Sequence, residues 1–397
     1  MNIESAIVLA AGEGNRLRPL TEFRPKPMLP AATQPILQHV FDGLIDAGVD
    51  DIHVVVGYRR DRVRNYFGPT YRDRTLTYHT QETQLGSGHA LLQAAGAVDD
   101  DFLVVNGDEV IPSTMAERVI DAHDRESVAT LAVVESDEPR EYAGVELDDD
   151  LVTTIDERPE SGEYRLFNAG VYAFGPSVFS EIQNTPQTDG ERALTDTVVE
   201  LVERTGNVRG VRVESPRVAV TYPWDLLRVA SGEQTGVPRD VRRRVDGAHV
   251  DGSAMLHDDA VVRPPVVVGP DAVVEAGAVV GPDTAVGRNA TVAANATVRG
   301  SVIDDDTRVG EAATLVDTVT GTDVEIGAGV TVPGGPADVR IGTTVYEGRQ
   351  LGAVLADRAT VGGGATVCDG VLIGPEARVA AGSTVRTNVA ARTEVTQ

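Results

Sequence analysis

The chain has 397 residues, and its 35 lysine and arginine residues against 61 aspartate and glutamate residues give a net charge of −26. It is longer than the size at which one hydrophobic core usually keeps growing, so we expect two domains. The negative charge repels nucleic-acid phosphates and anionic membranes, which argues against both as partners. Lys26 is the only lysine. An acidic surface almost without lysine suits concentrated salt, so we expect a salt-loving host.

Cysteine content and the N-terminal residues bear on the compartment. Cys368 is the only cysteine, which excludes an internal disulfide framework and a multi-cysteine metal site. No basic segment precedes the apolar stretch 6–11, and no run of about 18 apolar residues occurs in the sequence. We therefore expect a soluble, cytoplasmic protein.

Up to about residue 230, short apolar runs alternate with helix-like segments. The pattern predicts strands at 7–11, 51–57 and 102–108 and helices at 36–47 and 88–97. Such alternation is typical of βαβ units, and it predicts a Rossmann-like α/β domain with a mixed, mostly parallel sheet. Ligands of such sheets bind at the carboxyl ends of the strands.

The segment 9–30, LAAGEGNRLRPLTEFRPKPMLP, follows the first predicted strand. Its glycine-rich turn would let the backbone N–H groups of Ala11, Gly12 and Gly14 approach phosphate oxygens. Arg16 and Lys26 would add positive charge. The turn is neither a P-loop nor the three-glycine dinucleotide motif, so the sequence predicts a nucleoside triphosphate site of another type.

The strand followed by G-x-G-x-R and then P-K-P resembles the signature of the sugar-1-phosphate nucleotidyltransferase family, and the resemblance extends over most of residues 1–230. Together with the repeats described below, it resembles the archaeal relatives of the bifunctional N-acetylglucosamine-1-phosphate uridylyltransferases. The resemblance implies a transferase that makes a UDP- or dTDP-sugar and pyrophosphate from UTP or dTTP and a hexose 1-phosphate. It makes Arg16, Lys26 and Asp108 the expected catalytic residues.

The segment 81–90, QETQLGSGHA, is similar to the family's base-recognition loop. The resemblance implies that Gln81 and Gly86 contact uracil or thymine, with Ser87 in the same nucleotide-binding loop. Ser87 is also placed to cap the helix that follows. His89 is interpreted as incidental, because surface histidines are common outside sites.

Two aspartates are candidate magnesium ligands. Asp108 ends a buried-type strand, where a carboxylate oxygen can hold Mg²⁺ at the carboxyl edge of the sheet. Asp225, in Tyr-Pro-Trp-Asp, resembles the family's second metal aspartate, although it can also be explained as a helix N-cap.

The resemblance further implies a sugar-phosphate site. Its expected residues are Gly144, Glu157, Arg158 and Asn168. The family commonly has lysine beside the glutamate, and Arg158 occupies that position here. The forked guanidinium also binds phosphate, which leaves the geometry of this contact open.

The C-terminal part repeats an aliphatic residue at every sixth position. The repeated residues are Val250, Leu256, Val262, Val268, Val274, Val280, Val286, Val292, Val298, then Ile303, Val309 and Leu315 after a one-residue slip, and Leu355, Val361, Val367, Ile373, Val379 and Val385 after an interruption. Glycine often follows the repeated residue, where a tight corner leaves little room. The pattern resembles the hexapeptide repeat of left-handed parallel β-helices, with a valine-rich β-sandwich as the alternative. The interruption, 333–352, should leave the β-helix as a loop.

The predicted domains are residues 1–230 for catalysis, 231–248 as a linker and 249–397 as the β-helix. The resemblance implies a homotrimer formed through the β-helix. Two other functions stay open: an acetyl-CoA-dependent glucosamine-1-phosphate acetyltransferase in the β-helix, and a non-catalytic scaffold. Acetyl transfer needs a base, and Arg358 and Gly364 stand where the related proteins have histidine and asparagine, while His249 and His257 lie far upstream.

Overall fold

The computed structural model describes residues 3–124, 126–135, 143–156, 164–214, 218–230, 243–245 and 247–396. The chain packs as two compact units. Unit one is Met1–Glu13 with Ile36–Arg217, and unit two is Gly14–Pro35 with Val218–Gln397. The segment that follows the first glycine turn therefore packs with the C-terminal part of the chain. Most of the predicted linker, 231–248, lies outside the described residues, and the predicted boundaries stay a prediction.

The first 230 residues contain fourteen described strands. They are β1 (Ser5–Ala10), β2 (Pro30–Ala31), β3 (Gln34–Pro35), β4 (Asp51–Val56), β5 (Thr70–Tyr71), β6 (Arg74–Thr80), β7 (Phe102–Asn106), β8 (Glu109–Val110), β9 (Ala129–Glu135), β10 (Gly144–Asp148), β11 (Leu151–Asp156), β12 (Leu166–Phe174), β13 (Val208–Arg212) and β14 (Val218–Ala219). The helices are α1 (Ile36–Asp46), α2 (Arg60–Phe67), α3 (Ser87–Leu92), α4 (Ser113–Ala122), α5 (Val178–Asn184), α6 (Leu194–Thr205) and α7 (Asp225–Val229).

Unit one contains a ten-stranded mixed sheet in the order β10-β11-β13-β9-β12-β7-β1-β4-β6-β5. The stretch β7-β1-β4-β6 is parallel, whereas β12 runs antiparallel to β7 and β9. Ile7 and Val8 in β1 are fully buried, as expected for a central strand covered on both faces. The Rossmann-like α/β fold is confirmed, and the glycine turn leaves the sheet at the carboxyl end of its central strand.

Helix α3 is shorter than predicted. It ends at Leu92 rather than at Ala97, and the N–H groups of Gln93, Ala94 and Ala95 each bond the carbonyl three residues earlier. Such bonds make tighter turns than an α-helix, and Gly96 then takes a φ of +80°. Among the described residues, no helix combines the length and the apolar character that a membrane span requires.

Unit two contains twenty-five further short strands. They are β15 (Arg243–Val245), β16 (Ala248–Val250), β17 (Met255–Leu256), β18 (Val261–Val262), β19 (Val266–Val268), β20 (Val273–Val274), β21 (Val279–Val280), β22 (Thr284–Val286), β23 (Thr291–Val292), β24 (Thr297–Arg299), β25 (Val302–Ile303), β26 (Arg308–Val309), β27 (Thr314–Val316), β28 (Thr318–Thr320), β29 (Glu325–Ile326), β30 (Thr331–Val332), β31 (Pro336–Ile341), β32 (Thr344–Gln350), β33 (Ala353–Leu355), β34 (Thr360–Val361), β35 (Thr366–Val367), β36 (Val371–Ile373), β37 (Arg378–Val379), β38 (Thr384–Val385) and β39 (Glu394–Val395).

Most of these strands form three stacked sheets, the faces of a parallel β-helix. Their orders are β15-β16-β19-β22-β25-β28-β33-β36, β17-β20-β23-β26-β29-β34-β37-β39 and β18-β21-β24-β27-β30-β35-β38. Val250 pairs with Val268, and Leu256 with Val274, one coil further along the chain. The repeated aliphatic side chains form one apolar core along the axis, which confirms the six-residue period and excludes the sandwich. β15 pairs antiparallel with β16 and lies within the predicted linker.

The glycines after the repeated residues are explained by the spacing between coils. A Cβ at Gly287 would lie 2.7 Å from the backbone nitrogen of Asp305, and one at Gly310 would lie 2.6 Å from that of Ala328. Both contacts are shorter than any real Cβ tolerates. The interruption at 333–352 contains a hairpin, in which β31 and β32 pair antiparallel, so it has more structure than the predicted loop.

Candidate active site

At the end of β1 the backbone is fixed by two hydrogen bonds to Ala11. Its carbonyl accepts the side-chain N–H of Gln84 at 2.6 Å and the backbone N–H of Tyr58 at 3.3 Å. A Cβ at Gly12 would meet nothing within 4 Å. The fold itself therefore does not require glycine at position 12, which suits a position where a ligand approaches the backbone.

Gly14, in unit two, is required by the fold. Its φ is +66°, and a Cβ there would lie 2.8 Å from the Cβ of Lys26. Thr21 donates its hydroxyl hydrogen to the carbonyl of Gly14 at 2.8 Å. The glycine turn and the Pro-Lys-Pro segment are thus packed against one another, and this contact fixes the start of the Lys26 side chain.

An aromatic cluster lies beside this loop in unit two. Tyr222 and Trp224 stack with their ring centres 4.7 Å apart, and Tyr346 of β32 lies 4.9 Å and 5.5 Å from their centres. The guanidinium carbon of Arg16 is 6.0 Å from the centre of the Tyr222 ring, and that of Arg349 is 5.3 Å from the centre of Trp224. The cluster places the exposed Arg16 against the segment that carries Asp225.

Asp225 is 4% exposed. Its Oδ2 accepts the backbone N–H groups of Thr221 at 2.8 Å and Tyr222 at 2.7 Å. These groups precede α7, so the carboxylate does not cap the helix, and the N-cap explanation is wrong. Burial raises the pKa of Asp225, while the two backbone bonds and the charges of Arg228 and Lys26 oppose the rise. The carboxylate therefore lies within the electrostatic reach of Lys26.

Asp108 follows β7 in unit one, where the strands approach closely. A Cβ at Gly107 would lie 2.9 Å from the Cβ of Ala10, so the Gly-Asp pair brings Asp108 to the carboxyl end of β1. Asp108 is half-buried, and the neighbouring Glu109 is buried. This is the edge of the sheet that the sequence predicts for the site.

Gln81 is 3% exposed. Its side-chain nitrogen donates to the carbonyl of Gly86 at 3.1 Å and lies 2.9 Å from Nδ1 of His89. Gly86 has a φ of +93°, and a Cβ there would lie 2.5 Å from the carbonyl oxygen of Arg192. The two residues predicted to contact the base are thus bonded to one another. His89, which is interpreted as incidental from the sequence, holds the side chain of Gln81.

Ser87 does not cap its own helix. It is the first residue of α3, which shows no side-chain cap bond, and its hydroxyl oxygen instead accepts the backbone N–H of Leu194 at 2.9 Å. Leu194 is the first residue of α6. The predicted cap is therefore wrong, because the hydroxyl satisfies a free N–H at the start of a different helix.

Two of the four predicted sugar-phosphate residues are described. Gly144 begins β10, and a Cβ there would lie 2.4 Å from the ring of Tyr164. Asn168 is buried in β12, where its Oδ1 accepts the N–H of Gly170 at 3.0 Å and its Nδ2 donates to the hydroxyl of Tyr172 at 2.6 Å. The contacts within the fold therefore account for glycine at position 144 and asparagine at position 168, in addition to the predicted binding of the sugar phosphate. Glu157 and Arg158 lie outside the described residues.

Within the parts of the chain that the structure describes, no group of three or more histidine, cysteine or acidic side chains is arranged to hold a metal ion. Mg²⁺ is commonly bound by one or two carboxylates together with substrate phosphates. Hard carboxylate oxygens at Asp108 and at the buried Asp225 fit that donor set, and both predicted ligands stay proposals.

Arg24 has a structural role that was not predicted. It is 8% exposed, and its guanidinium lies 2.5 Å from a carboxylate oxygen of Asp304 and 3.2 Å from one of Asp357. Nothing in the sequence distinguishes Arg24 from Arg16 and Arg18, the two other arginines of the segment 14–35, since its partners lie far along the chain.

This fold, with a glycine turn at the end of the central strand and an arginine and a lysine in the loop that follows, defines a nucleotide-handling enzyme of the α/β class. The chain belongs to the nucleotidyl transferase family, whose model matches residues 5–213, and the model of the GMPPB C-terminal domain matches residues 262–351. It is thus a nucleotidyltransferase.

Three similar proteins illustrate the family. "Bifunctional protein GlmU" of Methanococcus maripaludis is 34% identical over 95% of this chain and 93% of its own length. "UTP--glucose-1-phosphate uridylyltransferase AglF" of Haloferax volcanii is 35% identical over 55% of this chain and 92% of its own. A solved UDP-glucose pyrophosphorylase in complex with UDP-glucose covers 58% of this chain and 98% of its own with a TM-score of 0.53, at 20% identity, which shows a shared fold.

Proposed function

We propose that the protein transfers a nucleotidyl group from UTP or dTTP to a hexose 1-phosphate, releasing pyrophosphate, with glucose or N-acetylglucosamine 1-phosphate as the sugar substrate. The observation that carries the proposal is the packing of Gly14 against Lys26, which orders a cation beside the glycine turn. The name of the similar Haloferax volcanii protein, a UTP–glucose-1-phosphate uridylyltransferase, supports the substrate class.

The orientation of Gln81 supports a pyrimidine with a donor at N3. The carbonyl of Gly86 can only accept, so the group that faces it is the NH₂ of Gln81. The amide oxygen is then the atom that can accept a hydrogen bond from a base. Uracil and thymine present an N3–H donor, whereas cytosine presents an acceptor there. The proposal therefore favours UTP or dTTP over CTP.

The chemistry is an in-line attack of the sugar phosphate oxygen on the α-phosphorus. A phosphomonoester is already ionised near pH 7, so no general base is needed. Arg16, Lys26 and the amides of the glycine turn then serve to align the triphosphate and to offset its charge. Asp108 and Asp225 are each proposed as a carboxylate ligand for magnesium, which would supply further positive charge to the phosphates.

The proposal is tested by measuring pyrophosphate release in high salt, with UTP, dTTP, CTP and ATP each combined with glucose and N-acetylglucosamine 1-phosphates. We expect release with UTP or dTTP, and we expect Lys26→Ala and Asp108→Asn to abolish it without unfolding the protein. The exposed residues Arg299 and Asp258 provide matched controls as Arg299→Ala and Asp258→Asn, which should retain activity. No release with any pair, or near-normal rates in Lys26→Ala, would overturn the proposal.

Acetyl transfer in the β-helix is a second candidate, since the similar Methanococcus maripaludis protein is named bifunctional. Arg358, which stands at the position where the resemblance expects a base, has its guanidinium carbon 5.0 Å from the ring centre of Phe23 and pairs with Glu376 at 3.1 Å. A permanently charged guanidinium cannot take up a proton. An acetyl-CoA assay with glucosamine 1-phosphate tests the activity, and we expect no turnover.

The oligomeric state, the host and the cellular location of the protein are also proposals. We propose a homotrimer formed through the β-helix, a salt-rich host and a place in the cytoplasm, where nucleoside triphosphates are available. Light scattering that gave one monomer mass at all dilutions would contradict the trimer. Loss of activity on raising the salt concentration would contradict adaptation to salt.

A further inference from the structure

The segment 14–35, which carries Arg16 and Lys26, packs with the β-helix in unit two. One buried contact of the segment is made by Arg24, whose guanidinium lies 2.5 Å from a carboxylate oxygen of Asp304 and 3.2 Å from one of Asp357. All three residues are buried, with at most 8% of their surface exposed. Buried charges of this kind hold their geometry, because leaving any one of them unpaired is costly.

The two aspartates are themselves fixed by the β-helix. Asp304 follows β25, and its Oδ1 accepts the N–H of Asp305 at 2.9 Å. Asp357 follows β33, and its Oδ1 accepts the N–H of Thr322 at 3.2 Å. Gly321 lies on the coil between those of the two aspartates, and a Cβ there would overlap the carboxylate of Asp357. The corner of three successive coils is therefore shaped around these carboxylates.

A second contact holds the neighbouring side chain. The ring of Phe23 has the guanidinium carbon of Arg358 at 5.0 Å and that of Arg392 at 5.4 Å from its centre. Both arginines pair with Glu376, at 3.1 Å and 2.7 Å. Cations at this distance attract an aromatic ring. Phe23 and Arg24 thus attach the loop to the β-helix at two adjacent positions.

The chain between Arg24 and Lys26 is stiff. Pro25 and Pro27 flank Lys26, and proline fixes its own φ. Lys26–Met28 forms a single turn of 3₁₀ helix, and Lys26 packs against Gly14 at its other side. A displacement of Arg24 is therefore passed on to Lys26 rather than absorbed by rotation of the intervening backbone.

We infer that Arg24, Asp304 and Asp357 are positioning residues for nucleotidyl transfer, through which the β-helix holds Lys26 and Arg16 in place for the triphosphate. The inference rests on the proposed function. It gives the C-terminal domain a part in catalysis that needs neither a second active site nor a ligand of its own. The contact of Arg24 with Asp304 and Asp357 acts on the residues proposed to bind the triphosphate. Its loss should therefore weaken binding of the nucleotide and leave binding of the sugar phosphate unchanged.

The test is the triple variant Arg24→Met, Asp304→Asn, Asp357→Asn. It removes the charges of all three side chains together, and both asparagines keep an oxygen for the backbone N–H groups that the aspartates bind. We expect a folded protein in which KM for UTP rises at least tenfold and kcat falls, while KM for the sugar phosphate changes less than twofold. A merely structural role would reduce the fraction of active molecules, which lowers kcat and leaves KM for UTP unchanged.

Arg72 in unit one provides a matched control. It also pairs with two aspartates, Asp42 at 2.8 Å and Asp46 at 3.0 Å. The variant Arg72→Met, Asp42→Asn, Asp46→Asn should keep KM for UTP within twofold of the wild type. A similar rise of KM for UTP in both triple variants would overturn the inference.

If the first triple variant fails to fold, Arg24→Lys decides, because it keeps the charge and loses the fork that reaches both carboxylates. A several-fold rise of KM for UTP supports the inference, and an unchanged KM overturns it. Failure of the proposed function and failure of the positioning role give different results. A wild type without pyrophosphate release refutes the proposed function, whereas an active wild type and an unaffected Arg24 variant refute only the positioning role.

Discussion

A Cβ at Gly14 would lie 2.8 Å from the Cβ of Lys26, so the turn and the lysine of the signature segment are packed in direct contact. The contact joins the glycine turn to the Pro-Lys-Pro motif of the same segment in the folded chain. A glycine at position 14 lets the chain adopt a φ of +66° and also leaves room for the lysine. Any larger residue would displace the cation that the proposed reaction uses.

Gly14→Ala should therefore reduce both stability and activity. The left-handed φ costs an alanine about 1–2 kcal/mol, and relief of the contact would move Lys26. We expect a lower unfolding free energy in denaturant titration and a rise of at least tenfold in KM for UTP.

Gly12→Ala is the matched control for stability, because its Cβ would meet no protein atom within 4 Å. We expect its unfolding free energy to stay within about 0.5 kcal/mol of the wild type, with a raised KM for UTP if the triphosphate approaches the backbone here. Equal losses of stability in the two variants would contradict this explanation of the two glycines.

His89→Ala should weaken the preference for uracil. Nδ1 of His89 lies 2.9 Å from the side-chain nitrogen of Gln81, and loss of one such bond costs about 1 kcal/mol, or about fivefold in an equilibrium. We expect the ratio of kcat/KM for UTP to that for CTP to fall about fivefold. His257, 52% exposed in its side chain, gives the control His257→Ala. An unchanged ratio in His89→Ala would contradict the role given to Gln81.

Much of the fold was predictable because it follows from local periodicity. Every sixth side chain of the second domain faces the axis, so Val268, Val286 and the other repeated residues were placed in the core from the sequence alone, and the structure confirms them. The length of α3 was not predictable in the same way. Its last predicted turn depends on the tight bonds that precede Gly96.

The candidate site was predictable where its residues are close in sequence. Gln81 and Gly86 belong to one loop, and the structure bonds them to one another. The partners of Ser87 and Arg24 were not predictable, because Leu194, Asp304 and Asp357 approach them only after the chain folds. No local pattern encodes such a long-range pair.

Asp305→Asn should stabilise the protein at neutral and alkaline pH. Burial and the neighbouring carboxylate of Asp304 raise the pKa of Asp305 from 3.8 to about 7. Between these values the folded state binds more protons than the unfolded state, so the contribution of this group to stability falls as the pH rises. Asparagine removes the charge and keeps an oxygen for the N–H of Arg288, which Asp305 accepts at 2.8 Å.

The gain of Asp305→Asn in unfolding free energy should be on the order of 1 kcal/mol at pH 8 and smaller at pH 5, measured by denaturant titration at constant salt. Asp306→Asn is the control, since Asp306 is exposed and its φ of +61° suits asparagine. A gain at pH 5 as large as that at pH 8 would contradict the raised pKa.

Tyr346→Ala tests whether the hairpin that interrupts the repeats supports the segment of Asp225. Tyr346 lies 4.9 Å from the ring centre of Tyr222 and 5.5 Å from that of Trp224, and aromatic pairs contribute about 0.5–1.5 kcal/mol beyond the area that they bury. We expect a loss of about 1–2 kcal/mol in unfolding free energy. Trp224 is the only tryptophan, so its emission should shift to longer wavelength as the ring becomes more exposed.

The same variant should raise the magnesium concentration needed for half-maximal activity severalfold, because Asp225 directly follows Trp224 and its carboxylate is held by the N–H of Tyr222 at 2.7 Å. Val345→Ala is the matched control on the same strand, since Val345 is 42% exposed, and it should leave emission and magnesium dependence unchanged. If Tyr346→Ala shifts the emission of Trp224 without changing the magnesium dependence, the hairpin stabilises the aromatic cluster alone, and the link from the cluster to Asp225 is wrong.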